Sequence, residues 1–298
     1  MPIEQNSSEL SQVLDTDQQI EWHGSGYGGV GGPAEGPLWW HEGGYLLFSD
    51  IHNNRRMKLI PGEGVSVYQQ PTNHANGLTR DLRGRLVACE HSSRRVTRQD
   101  SDGEVTVIAW SYRGRRLNRP NDAVVKSDGS IYFTDPGAPG PGLDLDFAGV
   151  YMVPPDLGDI TMIVGDFLTP NGLAFSPDES ILYVNDTRRQ HIRAFDVQPN
   201  NTIALASDRV LCDLSGDRPG VPDGMKVDVE GNMYCGGAGG VWVIDSDGNH
   251  LGTVAHGEGA TTNVAFGGDD WKTLYFTTWN MVGSVRVNIP GIPVPTDR

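Results

Sequence analysis

The feature that most constrains this chain is a short strand-like core that recurs six times along it. Each core is a run of mostly apolar residues, and the last residues of the six cores lie at positions 50, 90, 135, 186, 237 and 278, which are 40 to 51 residues apart. In order, the cores read LLFSD, LVACE, IYFTD, LYVND, MYCGG and LYFTT. A repeat of this length, built from short strands, is typical of the blades of a β-propeller.

Each core is followed, about ten residues on, by a second strand-like run such as RRMKLI or HIRAFDV. The 39 glycines and 19 prolines among 298 residues favour short strands joined by turns over long helices. We therefore predict an all-β protein, a six-bladed β-propeller with four-stranded antiparallel blades, formed by residues 34–298 as a single domain.

The last repeat runs out of sequence after about three strands. A blade that lacks its outer strand leaves an exposed sheet edge, which folded proteins avoid. Residues 1–33 precede the first repeat as an N-terminal extension, and they contain the strand-like segment QQIEWH at about 18–23. We predict that this segment supplies the missing strand of the C-terminal blade and closes the ring.

One position of every repeat carries a carboxylate or a carboxamide. It lies 14 or 15 residues before the end of each core, at Glu35, Asn76, Asn121, Asn171, Asp223 and Asn263. Because the first strand of each propeller blade lines the central channel, these side chains are expected to form a ring around the axis. Asn-Gly and Asp-Gly pairs are also common in turns, so turn chemistry is the alternative explanation for part of this pattern.

A ring of oxygen-bearing side chains without sulfur or imidazole indicates a site for a hard cation. Calcium fits best, since it accepts six to eight oxygen ligands in flexible geometry, and Glu35 with Asp223 would neutralise a divalent ion. Mg²⁺, Mn²⁺ or Zn²⁺ remain possible at the same site. A purely structural axial calcium, in a propeller without enzymatic activity, is a further alternative.

Charge and cysteine content exclude several classes of protein. The net charge of −15 argues against nucleic-acid binding through phosphate repulsion, and no apolar run is long enough to span a membrane. Cys89, Cys212 and Cys235 are widely spaced, which predicts buried thiols and no disulfide framework or zinc site. The polar start of the sequence lacks a signal-peptide pattern, so we expect a cytoplasmic protein, or a periplasmic one if a leader has been removed.

The chain resembles the SMP-30/gluconolactonase/LRE family of six-bladed propellers, and its bacterial gluconolactonase branch in particular. The resemblance rests on the order and spacing of several segments: AEGPLWW, ANGLTRDLRGRLVACEHSSRRVTR, LNRPNDAVVKSDGSIYFTDP, TPNGLAFSPDESILYVND, VPDGMKVDVEGNMY and TTNVAFGGDDWKTLYFT. It implies a divalent metal held by Glu35, Asn171 and Asp223, with Asn121 as a further ligand, directly or through water. Some animal members hold sugar hydroxyls with a glutamate where this chain reads PGAPGPG (136–142), so sugar recognition is expected to differ.

The resemblance and the ring together predict a metal-dependent lactonase that acts on a small sugar lactone. We assign Asp223 as the base that activates water, since a carboxylate beside a metal can deprotonate it. Arg119 and Asn121 of the R-x-N-D motif face the substrate by resemblance, and Asn76 and Asn263 complete the ring as further substrate contacts. Asp122 is expected to support Asn121 through hydrogen bonds. His74, His91 and His256 are expected to be structural.

Several alternatives stay open on the sequence. The same ring suits an aryl-ester or organophosphate hydrolase, and a propeller that binds a protein or peptide would need no metal ligands. A lyase of the strictosidine-synthase type would replace the metal ligands with a single catalytic glutamate. No G-x-S-x-G motif supports an α/β-type serine hydrolase. The specific lactone, the native metal and the oligomeric state are not determined by the sequence.

Overall fold

The structure of the protein, a computed structural model, describes residues 2–137 and 142–295. It begins with strand β1 (Ile3–Gln5), a short helix α1 (Leu10–Val13) and strand β2 (Glu21–Ser25). Single 3-10 turns lie at Gly29–Gly31, His41–Gly43 and Leu205–Ser207. Among the described residues, no helix is long and apolar enough to cross a membrane.

The remaining strands form radial antiparallel sheets, and within the described residues there are six of these blades. Blade 1 contains β3 (Ala34–Trp40), β4 (Tyr45–Asp50), β5 (Arg55–Ile60) and β6 (Gly64–Gln69); blade 2 contains β7 (Ala75–Arg80), β8 (Leu86–Glu90), β9 (Arg95–Gln99) and β10 (Val105–Ala109). A small hairpin, β11 (Ser111–Tyr112) and β12 (Arg115–Arg116), follows. Blade 3 contains β13 (Ala123–Val125), β14 (Ile131–Asp135), β15 (Gly149–Val153) and β16 (Thr161–Val164); blade 4 contains β17 (Pro170–Phe175), β18 (Ile181–Asp186), β19 (His191–Asp196) and β20 (Arg209–Asp213). Blade 5 contains β21 (Met225–Val227), β22 (Met233–Gly237), β23 (Gly240–Ile244) and β24 (His250–Val254); blade 6 contains β25 (Thr261–Gly267), β26 (Thr273–Thr278) and β27 (Met281–Arg286). The prediction of a six-bladed all-β propeller is confirmed.

The hydrophobic core lies between neighbouring blades. The first strand of each blade lines the channel and is buried, as β7 is along its whole length, whereas an outer strand such as β6 is half exposed. The aromatic contacts repeat: Tyr132 meets Phe175 of the next blade edge-on at 5.0 Å between ring centroids, and Tyr234 meets Phe266 in the same way at 5.0 Å. This edge-to-face packing is the favoured geometry for paired aromatic rings, and it fixes each blade against the next.

The N-terminal strand closes the ring, as predicted. β2 pairs antiparallel with β27, with Trp22 opposite Gly283, and the Trp22 ring packs edge-on against Phe276 at 5.6 Å. The paired segment is Glu21–Ser25, so the predicted bounds of 18–23 begin too early. Gln18 still contacts the same strand through its side chain, which accepts from the Arg286 N–H at 2.7 Å and donates to the Arg286 carbonyl at 2.8 Å.

Two further features were not predicted. β1 adds a fifth strand to blade 5 by pairing with β24, and Leu10 and Leu14 behind it are fully buried. At the other terminus, residues 287–295 cross the end of the channel where the innermost strands finish, with Gly291 N–H bonded to the Trp271 carbonyl at 2.9 Å. The far end of the channel is thereby covered.

The prediction of buried thiols is confirmed, and the structure also shows how two tryptophans pack. The three cysteines are free and buried. Trp39 stacks on Tyr275 at 5.6 Å, and Trp40 stacks on Tyr45 at 6.2 Å, so both tryptophans behind the EGP segment pack between strands.

Ring closure predicts slow amide exchange in β2. Because β2 is bonded to β27 along one edge, we expect its paired amides to exchange about as slowly as those of β6, the outer strand of blade 1. Hydrogen exchange followed by mass spectrometry of peptides covering 21–25 and 64–69 measures both strands in one sample. Complete exchange of the 21–25 peptide within seconds, with 64–69 protected, would contradict the pairing.

Candidate metal centre

The six side chains of the predicted ring lie at or just before the start of the innermost strands. Irregularities in strand register occur at this level in β3, β7, β17 and β25, where the chain bulges as it approaches the axis. A β-bulge re-aims side chains at its position. Five of the six ring side chains are buried, and Asp223 is partly exposed.

The glycine that follows the ring residue in four repeats is needed for close approach of the strands. A Cβ added at Gly36 would meet the Asn76 carbonyl, and one added at Gly172 would meet the Asp223 carbonyl. Gly77 N–H also donates to the Asn121 carbonyl of the next blade at 2.8 Å. The glycines at 36, 77 and 172 lie inside strands, so the turn explanation of the X-Gly pattern is wrong for these three repeats.

The amide members of the ring are joined to one another by hydrogen bonds across blade boundaries. Asn76 Nδ2 donates to Asn121 Oδ1, and Asn121 Nδ2 donates to Asn171 Oδ1 at 2.7 Å. On the other side, Asn263 Nδ2 donates to Glu35 Oε2 at 2.9 Å. The Asp223 carboxyl lies beside Asn171 and Glu35, and both of these groups shift its pKa. The structure thus brings all six predicted residues together.

The two carboxyl groups of the ring hold protons more tightly than ordinary acids. Burial, followed by the charge of Asp122, raises the pKa of Glu35 to about 8, although hydrogen bonds from Asn263 and from Gly36 N–H oppose the rise. Burial and then the Glu35 charge raise the pKa of Asp223 well above its usual range. Two carboxyls in contact inside a protein cannot both ionise without a compensating charge.

The oxygens at the axis fit a hard divalent cation. Asp223 Oδ1 and Asn76 Oδ1 are buried without a hydrogen-bond partner in the described residues. A buried polar oxygen without a partner costs free energy, and a cation would satisfy it. Among the described residues, no group of three or more His, Cys, Asp or Glu side chains has the arrangement of a metal site, since four of the six ring members are asparagines.

Asp122 lies beside the ring, and its contacts differ from those expected. Its Oδ1 accepts the Ala123 N–H at 2.9 Å, and its Oδ2 accepts from Asn263 Nδ2 at 3.3 Å. Lys226 Nζ lies 3.8 Å from the same Oδ2. Its side chain therefore contacts blades 5 and 6 across the channel, and not the Asn121 side chain.

Lys226 is a site residue that the sequence reasoning missed. It lies three residues after Asp223, on β21, and projects into the channel between the ring and the apolar far end. The corresponding residues of two other blades are Val124 and Ala174. A single lysine in a row of otherwise uncharged channel positions was the available signal, and it is visible only when the repeats are compared position by position.

Arg119, His74 and His256 lie apart from the predicted metal ligands, whereas His91 reaches the ring. Arg119 is exposed and lines a cleft at the mouth of the channel, the end where the innermost strands begin, together with His52, His74 and His91. His91 Nε2 lies 3.4 Å from Asn76 Nδ2, and burial lowers the pKa of His91 to about 4. His256 is buried in blade 6 against Phe276, its Nε2 is 2.7 Å from Thr261 Oγ1, and burial lowers its pKa to about 4.

Residues 138–141 of the predicted substrate loop, 136–142, lie outside the described residues. The prediction that sugar recognition differs here from that of the animal members, which place a glutamate in this segment, is therefore not tested.

Comparison with known proteins gives consistent matches along the chain. The family model described as SMP-30/Gluconolactonase/LRE-like region matches residues 33–280. A gluconolactonase from Zymomonas mobilis is 30% identical, with 96% of this chain and 86% of that protein covered. A solved gluconolactonase from Xanthomonas campestris is 32% identical and superposes with a TM-score of 0.82 over 96% of this chain and 95% of that one.

A more distant relative is the pentonolactonase XacC of Haloferax volcanii, 27% identical over 82% of this chain and 81% of that protein. The blades, the axial ring and the family match over residues 33–280 agree with one another. The chain belongs to the SMP-30/gluconolactonase/LRE-like family.

Proposed function

We propose that this protein hydrolyses sugar lactones at the axial ring with the help of a bound divalent metal, for which calcium is the expected ion. The observation that carries the proposal is the pair of acidic side chains at the axis, Glu35 and Asp223, where Asp223 Oδ1 and Asn76 Oδ1 are buried without a hydrogen-bond partner in the described residues. The names of the relatives, a gluconolactonase and a pentonolactonase, support a lactone as the substrate.

Glu35, Asn171 and Asp223 would hold the metal, with Asn121 as a further ligand. Their donor atoms are carboxylate and amide oxygens, the ligands that calcium and magnesium prefer. When bound, such an ion supplies Lewis acidity that polarises an ester carbonyl and stabilises the negative charge that develops on it.

The side chains of the protein accept the proton from water and contact the substrate. Asp223 Oδ1 lacks a hydrogen-bond partner in the described residues, so it has a free lone pair that can accept a proton from a water molecule bound at the ring. Asn76 Oδ1 is free to accept a substrate hydroxyl, whereas Asn263 Nδ2 is already bonded to Glu35 and Asp122. Arg119 at the mouth is placed to contact the part of a substrate furthest from the metal.

Acid release from a panel of aldonolactones, followed by pH-stat, tests the lactonase function. We expect hydrolysis by the metal-loaded protein, loss of activity after chelation, and recovery on adding Ca²⁺. Activity that is indifferent to chelation would contradict the metal requirement. If the metal-loaded protein hydrolyses none of the lactones, the lactonase function itself is wrong.

Asp223→Asn is expected to lower kcat by about 10²-fold or more, because the amide cannot accept the proton from water. The assay is run at saturating metal, with bound metal measured by mass spectrometry. The matched control is Asp247→Asn, the same change at an exposed turn in the same blade, which should leave kcat unchanged. Near-full turnover by Asp223→Asn with metal bound would refute the assignment of Asp223 as the base.

Metal binding is expected to tighten as the pH rises from 6 to 8. The pKa of Glu35 is raised to about 8 in the metal-free protein, so a cation must displace a proton from the carboxyl pair. The raised pKa of Glu35 also affects the stability of the metal-free protein. The folded state disfavours the ionised carboxylate of Glu35, so stability is lost as the pH rises through that pKa.

Calcium titration calorimetry at pH 6, 7 and 8, in buffers of different ionisation enthalpy, measures both the affinity and the proton release. Melting curves of metal-free and metal-loaded protein provide the second measurement, and the separation between them should widen with pH. An affinity that is constant from pH 6 to 8 would contradict displacement of a proton.

A further inference from the structure

The cleft at the mouth of the channel has an unusual composition for so acidic a protein. It is lined by His52, His74 and His91, three of the chain's eight histidines, together with Arg94 and Arg119. None of the described residues that line it is an aspartate or a glutamate, whereas the chain as a whole carries 38 acidic residues and a net charge of −15. The cleft is therefore a locally basic opening in an acidic surface.

Arg119 is held at this cleft with its guanidinium free. In blades 1 and 2, the acid that ends the second strand pairs with an arginine five residues later: Asp50 with Arg55 at 2.6 Å and Glu90 with Arg95 at 2.6 Å. Asp135 ends the second strand of blade 3, but it accepts the backbone N–H groups of Asn118 and Arg119, each at 2.7 Å. The backbone of Arg119 is thus fixed, and its side chain has no ion pair among the described residues.

The other groups of the cleft can donate hydrogen bonds without adding negative charge. Arg94 Nε is fixed by the carbonyls of Leu117 at 2.7 Å and Asn118 at 3.1 Å, and Asp144 lies 3.4 Å from its guanidinium. The neutral imidazole of His91 connects the cleft to the ring through Asn76. Arg119 is therefore the cation of this cleft that has no partner in the described residues.

We infer that the mouth selects lactones that carry an exocyclic oxyanion, a phosphate, sulfonate or carboxylate, over neutral sugar lactones, with Arg119 as the main recognition group. A guanidinium binds such groups through two parallel hydrogen bonds. A protein with a net charge of −15 repels anionic solutes at long range. A basic cleft without carboxylates attracts an anion once the anion has reached the entrance of the channel. This inference rests on the proposed lactonase function and adds the substrate class.

The test compares kcat/KM of the metal-loaded protein for 6-phosphoglucono-1,5-lactone and glucono-1,5-lactone. We expect a preference of about tenfold or more for the phosphorylated lactone, the size of one partly screened charge pair. The preference should fall to about threefold or less in Arg119→Gln, and should weaken as salt is added. The same measurement on glucaro-1,5-lactone, which is generated in situ and carries a carboxylate in place of the phosphate, shows which of the two anionic groups is preferred.

The matched control is Arg83→Gln, which removes the same charge from an exposed loop at the opposite end of blade 2 and should keep the preference. Arg119→Lys keeps the charge but loses the planar fork, and should retain part of the preference.

Equal kcat/KM values for the charged and neutral lactones would overturn the inference and leave the lactonase function standing. A preference that survives in Arg119→Gln would overturn it as well.

If neither lactone is hydrolysed, the proposed lactonase function is wrong. Binding of the two product acids then tests separately whether the mouth selects anions. Calorimetric titration with 6-phosphogluconate and with gluconate compares the two acids. Tighter binding of the phosphorylated acid that depends on Arg119 supports an anion-selective mouth, and equal binding of both acids overturns it.

Discussion

Two carboxyl groups, those of Glu35 and Asp223, meet at the propeller axis, and the inner structure is organised around this contact. Burial raises the pKa of both, the charge of Asp122 adds to the rise at Glu35, and the charge of Glu35 adds to the rise at Asp223, so the pair retains a proton or requires a cation. The free energy needed to keep two buried charges together without a counter-ion amounts to about several kcal/mol, which explains why such pairs are rare away from functional sites. Hydrogen bonds from Asn171 and Asn263 hold the two groups in place from either side.

The contact also explains why one repeat uses a glutamate. Glu35 belongs to blade 1 and Asp223 to blade 5, so blade 6 and its Asn263 lie between them. An aspartate at position 35 would be one methylene shorter than the glutamate. The longer side chain of Glu35 reaches past Asn263, bonds to it, and still meets Asp223. The departure from Asn or Asp in the first repeat therefore follows from the distance to be spanned.

Comparison of the repeats predicted what every blade shares, which includes the blades, the ring positions and the need for a closing strand. It did not predict what a single blade does alone. Lys226 replaces an apolar channel residue in blade 5, β1 adds a strand there, and Gln18 contacts β27 through its side chain outside the paired segment. These features depend on contacts distant in the sequence, which a periodic pattern does not contain. The free guanidinium of Arg119 is of the same kind, since it results from backbone groups that occupy Asp135.

The two ends of the channel differ in charge and polarity. At the ring level lie the carboxyls of Glu35, Asp122 and Asp223, and Lys226 lies below them. With all four groups ionised their charges sum to −2, the charge that one divalent ion neutralises. Beyond Lys226 the lining of the channel is mostly apolar, and residues 292–295 lie across its end. The opposite end opens to the basic cleft that contains Arg119. In the part of the chain that the structure describes, a polar solute that enters from this end would pass the guanidinium before it reaches the carboxyl pair.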